Sequence, residues 1–428
     1  MRVLWLCSYA PYPADFGGAR RTYHLLEQAS RAGHRIDLLA FAVGDPTHDA
    51  ATQAALGRFC RSVTLVADPA ALPAALGAGD PAAVARKRRG QVRSLLSARP
   101  YQFYAYYSAQ MQAALDRCAA QARPDLVQVE YSQMAYYRLP SGVPALLDLH
   151  NVEYEIMGRV ARAGGAPLRR VYNWAEYLKF RRVEPRLWRR FSGLLVTSAR
   201  DGALVRRDWP AAAVTVVPNG VDTAFFHPPA AADAATGDPQ VVFTGMMAYY
   251  PNHDGALYFA EAIWPTVRAA VPGVGWTIVG AEPSPAVRAL AAPGSGITVT
   301  GRVADVRPAI WRSRASVVPL RMGGGTRLKI VEALAMAQPV ISTTVGCEGI
   351  AVTSGHELLL ADTPADFAAA VIGVLRDPAQ AAALGAAGRA LAVSTYSWPV
   401  VAQPLLAAWA ALVGSAARHH GDTETRRL

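Results

Sequence analysis

The chain has 428 residues, 52% of them hydrophobic, which is enough apolar sequence for a sizeable core. At roughly 100–200 residues per domain that length suggests two domains. Four scattered cysteines with no C-x-x-C pair argue against a disulfide framework or a structural zinc site and fit a reducing cytosol, while a formal charge of +11, concentrated in Arg86–Arg89 and Arg169–Arg190, favours an anionic partner.

The opening run RVLWLC is short and breaks at Pro11 and Pro13 without a small-residue cleavage site, so it reads as a first buried strand and not as a signal sequence. A helical stretch HLLEQASRAG follows, then further apolar runs: RIDLLAF, DLVQVE, PALLDLH, GLLVTS and VTVVP. Near-continuous apolar strands separated by helices predict a parallel sheet covered on both faces. Residues 228–239, rich in Pro, Ala and Gly, read as a linker between a domain at 1–227 and a second at 240–396. That second domain repeats the pattern with QVVFTG, GWTIVG, GITVTG, ASVVPL, PVIST and ELLLA, so the fold class is α/β with two doubly wound parallel sheets. From about Ser397 to Val413 an apolar helix is expected to pack on protein and to cross back to the first domain, with a frayed tail from Arg418, in a last segment spanning 397–428. No window approaches the roughly 18 uninterrupted apolar residues of a spanning helix, so the chain is expected not to cross a membrane.

Ligands of open α/β sheets bind beyond the carboxyl ends of the strands, which directs attention to four loops. After the first strand, Gly17 and Gly18 open a helix where backbone N–H groups favour an anion. After SVVPL, Gly323, Gly324, Gly325 and Thr326 lead into another helix, with Arg327 and Lys329 adding fixed positive charge; this is the expected diphosphate site. It matches neither a P-loop nor G-x-G-x-x-G. Glu332, about one turn beyond Lys329, has a surface ion pair as its bland alternative. His150 follows PALLDL into a polar loop, placed either for hydrogen bonding to a substrate or as a structural residue. Gly245 allows tight passage after QVVFT, and Asn252 and Asp254 suit a helix cap as well as a ligand. There is no D-x-D pair and no His/Cys cluster, so neither metal nor cofactor is expected.

At these residues the chain resembles the family 4 glycosyltransferases. The marks are P-x-P-x-x-x-G-G ending at Gly17-Gly18, Val217-Pro218-Asn219-Gly220-Val221-Asp222, the Gly245 loop with Pro251-Asn252, Gly301-Arg302-Val303, and Glu332-Ala333-Leu334-Ala335 through Ile341. The resemblance implies a GT-B architecture of two Rossmann-like domains facing across a cleft, and transfer of a sugar from a nucleotide-diphosphate donor with retention of configuration. The setting it implies is bacterial cell-surface polysaccharide or glycolipid synthesis. In these terms Glu332 binds the donor ribose, the glycine loop with Arg327 and Lys329 the diphosphate, Arg302 and Val303 the base region, and His150 the sugar near the reacting carbon.

Two positions depart from the family's pattern: Gly324 stands where the first glutamate of E-x7-E is usual, and Met246, Met247, Asn252 and His253 stand where Arg and Lys often follow the glycine. Arg327 and Lys329 are expected to supply the missing cations from the other side of the phosphates. The partners implied are a nucleotide sugar and a glycan or lipid-linked acceptor. The basic and aromatic run from Leu168 to Phe191 suggests cytoplasmic attachment to an anionic membrane surface, with a solvated helix face as the alternative and no nucleic-acid module beside it. A weakly catalytic nucleotide-sugar-binding scaffold and a sugar-nucleotide epimerase are the rival functions.

Overall fold

The computed structural model describes residues 1–42, 46–67, 81–162, 167–230, 239–323 and 326–425. Its chain forms two compact units, Met1–Pro218 with Ala402–Leu428, and Asn219–Val401. Most of the linker expected at 228–239 lies outside the described residues, as do Gly324 and Gly325.

The first unit is built on a seven-stranded parallel sheet, β3-β2-β1-β4-β5-β6-β7. Its strands are β1 (Arg2–Cys7), β2 (Arg35–Phe41), β3 (Ser62–Val66), β4 (Leu126–Glu130), β5 (Ala145–Leu149), β6 (Gly193–Val196) and β7 (Val214–Val216). Residues of β1, β4, β5 and β6 are buried almost throughout, as a sheet covered on both faces requires. β3 escapes the apolar-run reading because it is an edge strand, SVTLV, with polar residues and mostly half-exposed side chains.

The second unit carries a six-stranded parallel sheet, β10-β9-β8-β11-β12-β13. Here the strands are β8 (Gln240–Thr244), β9 (Gly275–Val279), β10 (Ile297–Gly301), β11 (Ala315–Val318), β12 (Val340–Ser342) and β13 (Leu359–Leu360). In both sheets the strand order reverses beside the first strand, between β1 and β4 and between β8 and β11. At such a reversal the loops leaving the two strands part, and a ligand crevice opens at their carboxyl ends.

The last helix runs Trp398–Thr425, so the tail expected to fray from Arg418 is helical to Thr425. Its portion from Ala402 belongs with the first unit, where the Trp409 indole N–H donates to Gln128 Oε1 at 3.1 Å and the ring meets Trp5 edge-on at 5.5 Å. Contrary to expectation, the stretch Trp398–Ser415 is long and apolar enough to cross a membrane by length and composition. Trp398, Val401, Ala402, Leu405 and Trp409 are buried, 28% of that stretch, so packing on protein covers one face of the helix.

Candidate functional site

In the second unit, the loop leaving β8 and the loop after β11 meet at the strand reversal. Gly245 follows β8 with φ +152°, and a Cβ there would stand 2.6 Å from Lys329 Nζ and 2.7 Å from Asn252 Nδ2, so glycine is required by close approach and not only by the turn. Asn252 donates through Nδ2 to the Met246 carbonyl (2.9 Å) and accepts through Oδ1 from Lys329 Nζ (2.7 Å). Its side chain thus folds the Gly245 loop onto the lysine. The helix Tyr250–Tyr258 has no side-chain cap, so the capping role considered for Asn252 and Asp254 is not the one they play. Asp254 instead takes Arg321 in a two-pronged ion pair at 2.7 and 3.0 Å.

The helix after the glycine loop spans Leu328–Ala335, starting two residues later than Thr326 because Arg327 is extended and takes the N-cap position. Lys329 therefore lies in the first turn, where backbone N–H groups and the helix dipole already concentrate positive potential. Desolvation, helped by the Arg327 guanidinium and opposed by Glu332, lowers the Lys329 ammonium to about 7. The ammonium also lies over the Phe243 ring at 4.4 Å. Arg327 is buried, and Gly323 lacks a side chain where a Cβ would collide with its guanidinium. Thr326 Oγ1 is buried with no hydrogen-bond partner among the described residues. Lys329 is thus committed to Asn252 and is not one half of a surface pair with Glu332. Arg302 is exposed, whereas Val303 packs against the core of this unit.

In the first unit, the pair Gly17-Gly18 begins the helix Gly17–Arg31. The bare face of Gly18 does not open onto space: a Cβ would run into the hydroxyls of Tyr9, which follows β1, and Tyr131, which follows β4. Those two hydroxyls are hydrogen-bonded to each other.

His150, at the end of β5, is 7% exposed, with its ring stacked on Tyr131 at 3.8 Å. Its Nε2 is 2.6 Å from Glu130 Oε2. Burial lowers the imidazole to about 3 and raises the Glu130 carboxyl to about 7, so His150 is uncharged near neutral pH. Glu130 also accepts from the Trp5 indole at 2.7 Å and from Gln128 at 3.2 Å.

Beside this pair, Asp148 is fully buried and bound by Arg21, whose guanidinium lies 2.9 Å away and also donates to the carbonyls of Val217 (2.8 Å) and Pro218 (2.9 Å). Glu130, Asp148 and His150 bring ligand atoms within 4.8 Å of one another, a donor set that the sequence, with no His/Cys cluster, did not announce. Arg21 offsets the charge of Asp148 there. Arg21, Glu130 and the Lys329–Asn252 bond were missed at the sequence level, since each joins residues far apart in the chain.

Two family models match this chain: "Glycosyltransferase Family 4" over residues 17–225 and "Glycosyl transferases group 1" over residues 238–377. A 44.6 kDa protein of the cps region of Klebsiella pneumoniae, itself uncharacterised, is 22% identical over 385 residues, covering 87% of this chain and 90% of the relative. Among solved structures, sucrose-phosphate synthase from Thermosynechococcus elongatus superposes with TM-score 0.69 at 18% identity, over 97% of this chain and all of the other. HepE from Anabaena in complex with UDP superposes with TM-score 0.66 at 12% identity, over 96% of this chain and 100% of that one.

Lowering a lysine's ionisation on folding has a defined sign. The unfolded lysine binds a proton up to about pH 10.4 and the folded one only to about 7, so the penalty is fully present below about pH 7 and fades as pH rises toward 10. Lys329→Met is expected to remove this part of the rise in stability between about pH 7 and pH 10, read as urea midpoints of the second unit's transition. An unchanged pH slope in the variant contradicts the desolvated lysine.

Proposed function

Because the chain belongs to the group 1 glycosyltransferases of family 4 and is a glycosyltransferase, we propose that Lys329 and Arg327 together bind the diphosphate of a nucleotide-sugar donor and stabilise it as leaving group. The observation that carries this reading is the placement of Lys329 Nζ, 2.7 Å from Asn252 Oδ1 and against the Gly245 backbone. Asn252 occupies a loop where the family often carries a cation. The lysine arriving from the neighbouring helix restores the charge at that place, and Asn252 holds it there.

A buried ammonium beside a guanidinium at a helix start is destabilised until an anion arrives, and a pyrophosphate leaving group supplies one. Preorganised donors of this kind stabilise charge most where it develops, on the phosphate oxygen released as the sugar bond breaks. That oxygen then accepts the acceptor's proton in a front-face displacement with retention. Neutral His150, held by Glu130, is a hydrogen-bonding group toward the transferred sugar and not a charged base. Glu332 serves the ribose, and the backbone at Gly17 and Gly323 borders the donor. Support for a nucleotide diphosphate comes from the HepE structure, which holds UDP; support for cell-surface polysaccharide synthesis comes from the cps-region relative.

The surface of the first unit suits a membrane-borne acceptor. The helix Pro167–Trp188 exposes Leu168, Val171, Trp174 and Leu178 at three- and four-residue spacing, one stripe, and Arg169, Arg170 and Arg182 are exposed beside it. Apolar side chains rimmed by arginine fit an anionic lipid surface, which supports a reading of peripheral attachment at the cytoplasmic face.

Arg327→Ala is expected to lower turnover at least about a hundredfold, roughly 3 kcal/mol, in a donor-panel assay, with the fold intact by circular dichroism. Near-normal turnover overturns the role of Arg327. Leu168→Glu with Leu178→Glu is expected to abolish co-sedimentation with phosphatidylglycerol vesicles while leaving donor binding unchanged; retained sedimentation of the variant removes the lipid reading.

A further inference from the structure

A cavity of about 360 Å³ opens in the first unit, lined by residues of the helices Pro81–Leu95, Tyr101–Ala105, Glu153–Arg162 and Pro167–Trp188 and by the short turn Ser132–Tyr136. Its volume is at the lower end of the roughly 300–1,000 Å³ of small-molecule sites. Tyr131 forms part of the wall, and the same ring is stacked on His150, so the cavity adjoins the Glu130–His150 pair.

One polar group in the lining has unmet hydrogen-bonding capacity, and a carboxyl lies in the same lining. Gln133 is only 8% exposed, yet its Oε1 has no hydrogen-bond partner among the described residues. A buried, unmatched carbonyl costs on the order of 1–3 kcal/mol and is uncommon unless a ligand or ordered water completes it. Glu153 lines the cavity at the start of its helix. The backbone N–H groups there are taken by Glu184, which accepts from Glu153 N at 3.1 Å, Tyr154 N at 2.9 Å and the Ser132 hydroxyl at 2.6 Å. The Glu153 side chain forms part of the cavity lining. Burial and the nearby Glu184 raise it to about 8, so it enters the cavity protonated near neutral pH. Tyr131 and Tyr172 add aromatic faces to the same lining.

We propose that this cavity is the subsite for the acceptor, and that it takes a neutral, hydroxyl-rich ring whose hydroxyls bond Gln133 Oε1 and the Glu153 carboxyl while its C–H face lies on tyrosine. Calling the ligand an acceptor rests on the glycosyl-transfer reading above. The chemistry follows from the lining: an acceptor-only amide oxygen calls for hydroxyl donors, aromatic faces suit the apolar side of a pyranose, and the Glu176 carboxylate disfavours an anionic ring. Glu176 is already engaged with Ser94, Lys179 and the Tyr101 backbone, which leaves Glu153 and Gln133 to read the ligand. The exposed apolar stripe of Pro167–Trp188 lies on the same helix that supplies Tyr172 and Glu176, so a ring held here has its lipid side close by.

The test is saturation-transfer NMR on the full chain with methyl α-glucoside, methyl α-galactoside, methyl α-mannoside and methyl α-glucuronide as probes. At least one neutral glycoside is expected to give a signal, with the glucuronide weaker. Val160→Trp, at a lining position already 40% exposed, should fill the cavity and abolish the signal without unfolding the protein. Gln133→Leu should weaken it by roughly tenfold in affinity, the worth of a hydrogen bond to a buried group. No signal from any neutral glycoside, or one that survives Val160→Trp, overturns the proposal. Thermal shifts by nucleoside diphosphates in the same variants keep the two readings apart: loss of the glycoside signal in Val160→Trp with the nucleotide shift retained supports the cavity, whereas absence of any nucleotide shift in the unsubstituted protein strikes at the donor site alone.

Discussion

Two cations confined at the start of one helix set the terms for the second unit. Lys329 and Arg327 stand where the backbone of Leu328–Ala335 already presents its positive end, and desolvation removes the water that would otherwise screen them. An arrangement of this kind raises the energy of the empty protein and is relieved by an anion. Much of the local sequence follows from it. Gly245 has no side chain because the ammonium comes within 2.6 Å of where one would begin, and Asn252 gives up helix capping to hold both the loop and the lysine. Arg321, nearby in sequence, is instead paired with Asp254.

The first unit handles buried charge in the opposite way, by complete internal pairing. Arg21 meets Asp148 and two carbonyls, and Glu130 is hydrogen-bonded to His150. Removing one partner of such a buried pair leaves an uncompensated charge, which costs more than the pair contributes. The outcome is a fixed, uncharged imidazole stacked on Tyr131, with the orientation of its ring decided by Glu130 and not by solvent. The two units therefore handle buried charge differently: desolvated cations at a helix start in the second, and a neutral, oriented histidine in the first.

The repeated alternation of apolar strand and helix was legible because parallel strands buried on both faces leave no room for polar residues, as in LVQVE with all five positions buried. β3 was not, since an edge strand half-open to solvent carries the polar residues that hide it. The glycine loop with Arg327 and Lys329 could be read because backbone permissiveness and charge are properties of neighbouring residues. What could not be read was pairing at a distance. Lys329 finds Asn252 across 77 positions, Arg21 finds Asp148 across 127, and Trp409 finds Gln128 across 281. Gly18 is instructive in the other direction: its type signals close approach, but only the fold reveals that the approaching groups are the protein's own tyrosines.

The account is tested most directly by the protons that accompany nucleotide binding. Titration calorimetry of the full chain with a nucleoside diphosphate at about pH 8, repeated in buffers of different ionisation enthalpy, reads how many protons are exchanged. With Lys329 held down to about 7 in the empty protein, arrival of the diphosphate should draw in roughly one proton, and Lys329→Met should bind more weakly with that uptake gone. Tight binding with no proton uptake, or an uptake that persists in Lys329→Met, would contradict the claim that a desolvated lysine at this helix start receives the diphosphate.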